Sequence, residues 1–191
     1  MEMETLFGEV PTLESNNVVL KKIEDGHLNE LFAIYDNEKV FEFCGIIPKH
    51  NIKTVANMIG HFQRDFNKRS RMKLGIFMKH DTDKMVGIIE GMEFKQKTNS
   101  AIVGYYLAEE YWGRGIASEA LSEFVKFLFE VGNINRLHAE VMLGNGASKR
   151  VLLKNGFIKE GMLRQASFWP GKGIVDLEVY GILRGDYGES D

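Results

Sequence analysis

The stretch from Tyr105 to Ala117, Tyr-Tyr-Leu-Ala-Glu-Glu-Tyr-Trp-Gly-Arg-Gly-Ile-Ala, restricts the fold of this chain more than any other. It reads as a strand, a glycine turn and the start of a helix. The helix carries Ala117, Leu121, Phe124, Val125, Leu128 and Phe129 at the spacing of one buried face. Two arrangements suit Gly113 and Gly115 at the join. One is a plain tight turn. The other is an anion cradle, because glycine lets an anion approach the backbone and the first helical N–H groups have no internal partner. The dinucleotide fingerprint needs a third glycine where this chain has Ser118, and the Gly-Lys-Ser/Thr of a nucleoside-triphosphate loop is absent.

Around this stretch the pattern predicts a strand at 18–22 and a helix after Asp25 with Leu28, Leu31, Phe32 and Tyr35 on one face. A second helix is expected over 51–68, ending in the basic run Arg64, Lys68, Arg69 and Arg71. That run reads as a solvated helix end with cations near the negative pole of the dipole, or as a contact for an acidic substrate segment. Strands follow at 73–79 and 85–94, joined by a turn at Asp81-Thr82-Asp83, and a third at 100–107. After the long helix come a strand at 136–143, a short helix at 147–155 and a terminal hairpin around Pro170-Gly171-Lys172-Gly173. This order implies an α/β (α+β) fold with a largely antiparallel sheet. No linker divides the chain, so residues 1–191 read as one domain, with 1–17 as an arm that frays or packs through Leu6, Phe7, Val10 and Leu13.

Composition removes several function classes. The net charge of −3 gives no overall basic footprint for nucleic acid. No apolar run reaches the roughly 18 residues of a membrane span. The single cysteine, Cys44, permits no internal disulfide, and the N-terminal residues lack a basic–apolar signal pattern, so a cytoplasmic protein is expected. The five histidines are scattered, and no metal site is expected.

Tyr111-Trp112-Gly113-Arg114-Gly115-Ile116-Ala117, followed by Glu119-Ala120-Leu121, resembles the acetyl-CoA pyrophosphate loop of the GCN5-related N-acetyltransferases (GNAT). Further matches stand in that family's order. They are Gly104-Tyr105-Tyr106-Leu107, Asn145-x-x-Ser148, Val151-Leu152-x-Lys154-x-Gly156-Phe157, Glu160-Gly161 and Val179-Tyr180-Gly181. The set resembles the ribosomal-protein serine/alanine branch and covers roughly Val18 to Tyr187.

The resemblance implies a mixed, mostly antiparallel sheet of about seven strands with helices on both faces. It also implies a splayed parallel pair at 100–107 and 136–143, with the pantetheine in the gap. Backbone groups of Tyr105, Tyr106 and Leu107 would hold the pantetheine, and N–H groups of Gly113, Arg114, Gly115, Ile116 and Ala117 the diphosphate. Asn145 would contact the cofactor, and Lys154 would reach its 3′-phosphate or remain a solvated helix cation.

Many members place a thiolate-protonating tyrosine where this chain has Leu152. In the resembled branch a serine at the Ser148 position is the proposed donor instead; its other reading is helix capping. The branch often has a glutamate where this chain has Ile102, so the base is sought elsewhere. Glu90 and Glu93 are substitutes by position, and their offset puts them on opposite strand faces. Asp176 and Trp169 fall near the acceptor end, as substrate contacts or as hairpin and core residues.

Together these features imply an acetyl-CoA-dependent N-acetyltransferase acting on a primary amine, foremost the N-terminal α-amine of a protein such as a ribosomal protein. The alternatives are a small amine as acceptor (a polyamine, amino acid or antibiotic) or a non-catalytic acyl-CoA-binding module. A homodimer is compatible with the apolar arm and hairpin.

Overall fold

The computed structural model describes residues 1–187. The first half of the chain forms α1 (Met3–Leu6), β1 (Leu13–Glu14), β2 (Val18–Lys21), α2 (Leu28–Asp36), α3 (Ile52–Asn67), β3 (Arg71–Met78) and β4 (Asp81–Lys95). The second half forms β5 (Ser100–Leu107), α4 (Ile116–Glu130), β6 (Arg136–Met142), α5 (Gly146–Lys154), β7 (Ile158–Trp169) and β8 (Gly173–Leu183). Eight strands lie in one sheet in the order β1-β2-β3-β4-β5-β6-β8-β7. One strand more than expected is present because part of the N-terminal arm pairs with β2 as β1.

Alternation along the strands gives this sheet two apolar faces. Val18, Leu20, Ile76 and Ile89 join Leu121, Phe124 and Leu128 of α4 in one core. Their neighbours Val19, Phe77 and Ile88 join Leu31 and Tyr35 of α2 and Val55 and Ile59 of α3 in the other. Helices therefore cover both faces.

All pairings are antiparallel except β5 with β6. That parallel pair is brief: Ser100 faces Arg136, Ala101 faces Leu137 and Ile102 faces His138, and there it ends. Beyond it, β5 stays on β4 as far as Leu107 opposite Gly87, and β6 stays on β8 as far as Met142 opposite Leu177. Each strand is tied to its outer neighbour, so the two diverge and leave a wedge from Val103 onward.

Three local expectations are corrected. The β3–β4 turn is Lys79-His80, with Met78 paired to Asp81; the polar Thr82 to Lys84 instead fill an irregularity before Phe77 pairs Met85. Glu93 does not simply alternate with Glu90. It takes φ +51 at a bulge, because three steps along β4 from Met92 to Lys95 face two on β5. The arm does not fray. Leu6 is fully buried, and the Phe7 ring packs 5.2 Å from that of Phe66 and 5.0 Å from that of Phe94. Glu119 of α4 accepts hydrogen bonds from Ser15 Oγ at 2.6 Å and from the Asn17 N–H at 2.7 Å. Leu6→Ala is therefore expected to cost about 2–5 kcal/mol, a core penalty, in urea unfolding. A loss under 0.5 kcal/mol would show that the arm is not part of the core.

Candidate active site

The glycine turn leads directly into α4. Gly113 and Gly115 have φ of +73° and +79°, and a Cβ on either would meet no atom of the chain within 4 Å. Gly115 is the N-cap residue and offers no side chain to the helix. The first N–H groups of α4 have no partner within the helix and no side-chain cap from Gly115, and the helix dipole adds positive charge there. This cradle fits a diphosphate. The Arg114 guanidinium lies over the Tyr111 ring at 5.4 Å, on the rim of the turn. Trp112 is half exposed and donates its indole N–H to the Leu107 carbonyl at 2.9 Å, so that carbonyl already has a partner.

At the wedge, α5 crosses from the β6 side. Asn145 caps it: its Oδ1 accepts from the Ser148 N–H at 3.1 Å. Capping therefore falls to Asn145, and the Ser148 hydroxyl is left for the Tyr105 hydroxyl, 3.0 Å away. Tyr105 also lies 3.1 Å from the Ser148 carbonyl, to which it donates. Burial pushes the Tyr105 phenol well above its ordinary range, against the opposing hydrogen bond from Ser148, so it stays a neutral donor. The sequence pointed only to the Tyr105 backbone; its side-chain role depends on a contact 43 residues away. Leu152 is fully buried in the α4–α5 core, and Lys154 is exposed at the end of α5.

One buried carboxylate holds α5 in place. Glu178 of β8 lies 2.5 Å from Lys149 and 2.6 Å from Lys159. Hydrogen bonds from Lys149 and then Lys159 hold its carboxyl down at about 2, from an ordinary 4.5. This depressed group stabilises the fold fully above about pH 4.5 and loses that contribution as pH falls toward about 2. In urea unfolding across that window, the wild type is expected to lose more stability than Glu178→Gln. Parallel slopes would refute the assignment.

On the α2/α3 face of the same strands lies a second polar group. Glu90 is 5% exposed, and its Oε2 lies 3.2 Å from Lys73 and 3.6 Å from Arg71 without completing a hydrogen bond of good geometry. Lys73 reaches the Tyr106 hydroxyl at 3.4 Å and sits 4.7 Å from the Phe62 ring centroid. Tyr106 and Tyr35 share a hydrogen bond at 2.7 Å, and Phe41 packs against both rings. Burial, and then the charge of Glu90, raises the Cys44 thiol to about 11, which keeps it protonated. Lys73, Tyr35 and Cys44 were not among the expected site residues. No local motif marks them; only the sheet brings them together.

Outward from Cys44 runs a cavity of about 560 Å³, lined by Phe41, Ile46, His50, Trp169 and Lys172 among others. Its two walls touch. A Cβ on Gly45 would lie 2.9 Å from Trp169 Nε1, and the Lys172 ammonium sits 5.1 Å from the Phe43 ring. Trp169 thus lines this cavity. Asp176 does not: its Oδ1 accepts the Gln165 N–H at 2.7 Å and closes the irregular stretch of β7. Glu93 is exposed, ion-paired with Lys95 at 3.0 Å, beyond the Ile102 end of β5 and away from Tyr105.

A family model for the acetyltransferase (GNAT) domain matches residues 17–158. The uncharacterized N-acetyltransferase YoaA of Bacillus subtilis is 33% identical over 174 residues, 91% of this chain and 97% of its own. The chain is a GNAT-family N-acetyltransferase. The Escherichia coli ribosomal-protein-serine acetyltransferase is 33% identical over 116 residues, 61% of each chain. Among solved structures, the microcin C7 self-immunity acetyltransferase MccE, in complex with acetyl-CoA and AMP, superposes with a TM-score of 0.79 at 21% identity, over 88% of this chain and 93% of that one. The fold, with its split β5/β6 pair, is thus that of this family, and acetyl-CoA is the acetyl donor. No helix among the described residues is long and apolar enough to cross a membrane.

Proposed function

We propose that this acetyltransferase modifies the N-terminal α-amine of a protein, entering through the cavity between the 38–50 segment and the β7–β8 tip. The observation that carries the reading is the pairing of the Tyr105 and Ser148 hydroxyls where β5 and β6 part. Acetyl-CoA supplies a thioester-activated acetyl group. The N–H groups of Gly113 to Ala117 bind its diphosphate, and Tyr105 and Tyr106 line its path. As the amine nitrogen bonds to the acetyl carbon and the carbon–sulfur bond breaks, Ser148 relays a proton to the departing sulfur and takes another from solvent, with Tyr105 orienting its hydroxyl. From the opposite face, Glu90 takes the proton that the acceptor nitrogen loses, and Lys73 holds its carboxylate in place. The protein acceptor is supported by the open end of the cavity and by the similarity to an enzyme named for ribosomal-protein serine.

The test is thiol release from acetyl-CoA across three acceptor sets: peptides with free N-termini, the same peptides Nα-blocked but carrying lysine, and polyamines. Release with the first set is expected, and mass spectrometry should place the acetyl group on the α-amine. Turnover with polyamines alone would shift the acceptor to small amines. No release with any set would end the catalytic reading.

A further inference from the structure

Helix α3 buries Val55, Ile59 and Phe66 and turns its other side outward. At 3.6 residues per turn, Lys53, Asn57, Gly60, His61, Arg64 and Lys68 fall within an arc of about 100° along a line of about 22 Å. All six are exposed. Among the described residues, neither Lys53, Arg64, Lys68 nor the following Arg69 takes part in an ion pair. The only acid of this helix, Asp65, lies off the stripe. The whole chain carries −3, so this line of cations runs against the overall charge.

Gly60 interrupts the stripe. Glycine is the least favourable residue in a helix interior after proline. The fold does not demand it, since a Cβ there would meet nothing within 4 Å. Instead its bare backbone lies in an open stretch of surface formed by α3 alone, beside Thr54, Asn57, Met58, His61 and Arg64. A missing side chain of this kind lets a second chain approach closely. The stripe also begins beside the acceptor cavity: His50 lines that cavity, and Asn51 caps α3.

We propose that the outer face of α3 docks an acidic, Asp/Glu-rich segment of the acceptor protein, with Gly60 as the point of closest approach. This rests on the reading that the acceptor is a protein. Carboxylates fit the spaced cations of the stripe. Nucleic acid fits less well, because the stripe carries no Phe, Tyr or Trp, and His61 is its one ring able to stack a base.

The experiment is fluorescence anisotropy with a labelled Glu/Asp-rich peptide of 15 residues and the full chain at low salt. K53E/R64E/K68E is expected to weaken binding by about 10-fold or more and to flatten its salt dependence. The equal charge change K97E/K126E/R164E, on exposed residues elsewhere, is expected to leave binding within about twofold. Gly60→Leu covers the bare backbone at the point of closest approach; it should weaken binding while the thermal midpoint holds or rises. Three results would overturn the proposal: no peptide binding, equal loss in both charge variants, or a 15-nucleotide single strand binding as tightly as the peptide. Unchanged binding in Gly60→Leu would overturn the approach at Gly60. Each variant is also assayed for its thermal shift with acetyl-CoA and for acetylation of the free peptide N-terminus. Failure of the docking surface is then distinct from failure of the acceptor reading.

Discussion

Ser148→Ala is expected to lower kcat by about 10²–10⁴-fold, the range for loss of a general acid, with little change in KM for acetyl-CoA. The expectation rests on the division of labour at the start of α5. Asn145 caps the helix, so removing the Ser148 hydroxyl leaves its backbone hydrogen bond in place. Asn145→Ala is the structural counterpart and should cost about 1 kcal/mol of stability, as for a lost cap. Tyr105→Phe removes the partner that orients Ser148, and its loss in kcat should be smaller. Burial keeps the Tyr105 phenol protonated, so it can donate toward Ser148 but cannot serve as a base near neutrality. A large loss in Tyr105→Phe with a mild one in Ser148→Ala would exchange the two roles and sink the assignment.

Gly115→Val is expected to abolish stabilisation by acetyl-CoA. A ligand at about 100 times its dissociation constant that binds only the folded state adds about 2.7 kcal/mol, and this shift should disappear. The variant should also lose about 1–2 kcal/mol of its own stability, because φ of +79° is unfavourable for any residue with a Cβ. The two effects separate with a second glycine. Gly173, at the β7–β8 tip, has φ of +77° and equally open surroundings. Gly173→Val should show similar backbone strain yet keep the acetyl-CoA shift. If both variants keep the shift, the diphosphate does not sit on the 113–117 turn. If both lose it, the effect is global destabilisation and says nothing in favour of a cradle.

Most of the elements were legible because their signals are local. The apolar stripe of α4 and the two glycines before it lie within a few residues of what they organise. The parallel strand pair came from the resemblance, and the register then gave its physical form: pairing stops after Ile102. The β3–β4 turn was misplaced because Asp81-Thr82-Asp83 has turn composition. The ladder needed those polar residues at an exposed irregularity instead. The arm, which by its sequence either frays or packs, was left undecided for a different reason. Its apolar residues are too few to order themselves, and only the surfaces of Phe66, Phe94 and Gly132 make their burial worthwhile.

The sequence by itself determined most of the elements, the glycine turn before α4 and the family, because periodicity, turn chemistry and motif order are properties of neighbouring residues. Only the tertiary structure decided which side chains meet. It put the Tyr105 hydroxyl on Ser148 and left the cap to Asn145. It buried Glu90 beside Lys73 and left Glu93 exposed on a bulge. These are contacts between residues up to 43 positions apart, set by strand register and helix docking. A one-residue change in register would turn Tyr105, Lys73 and Glu90 to the other face of the sheet, and no local pattern encodes that choice.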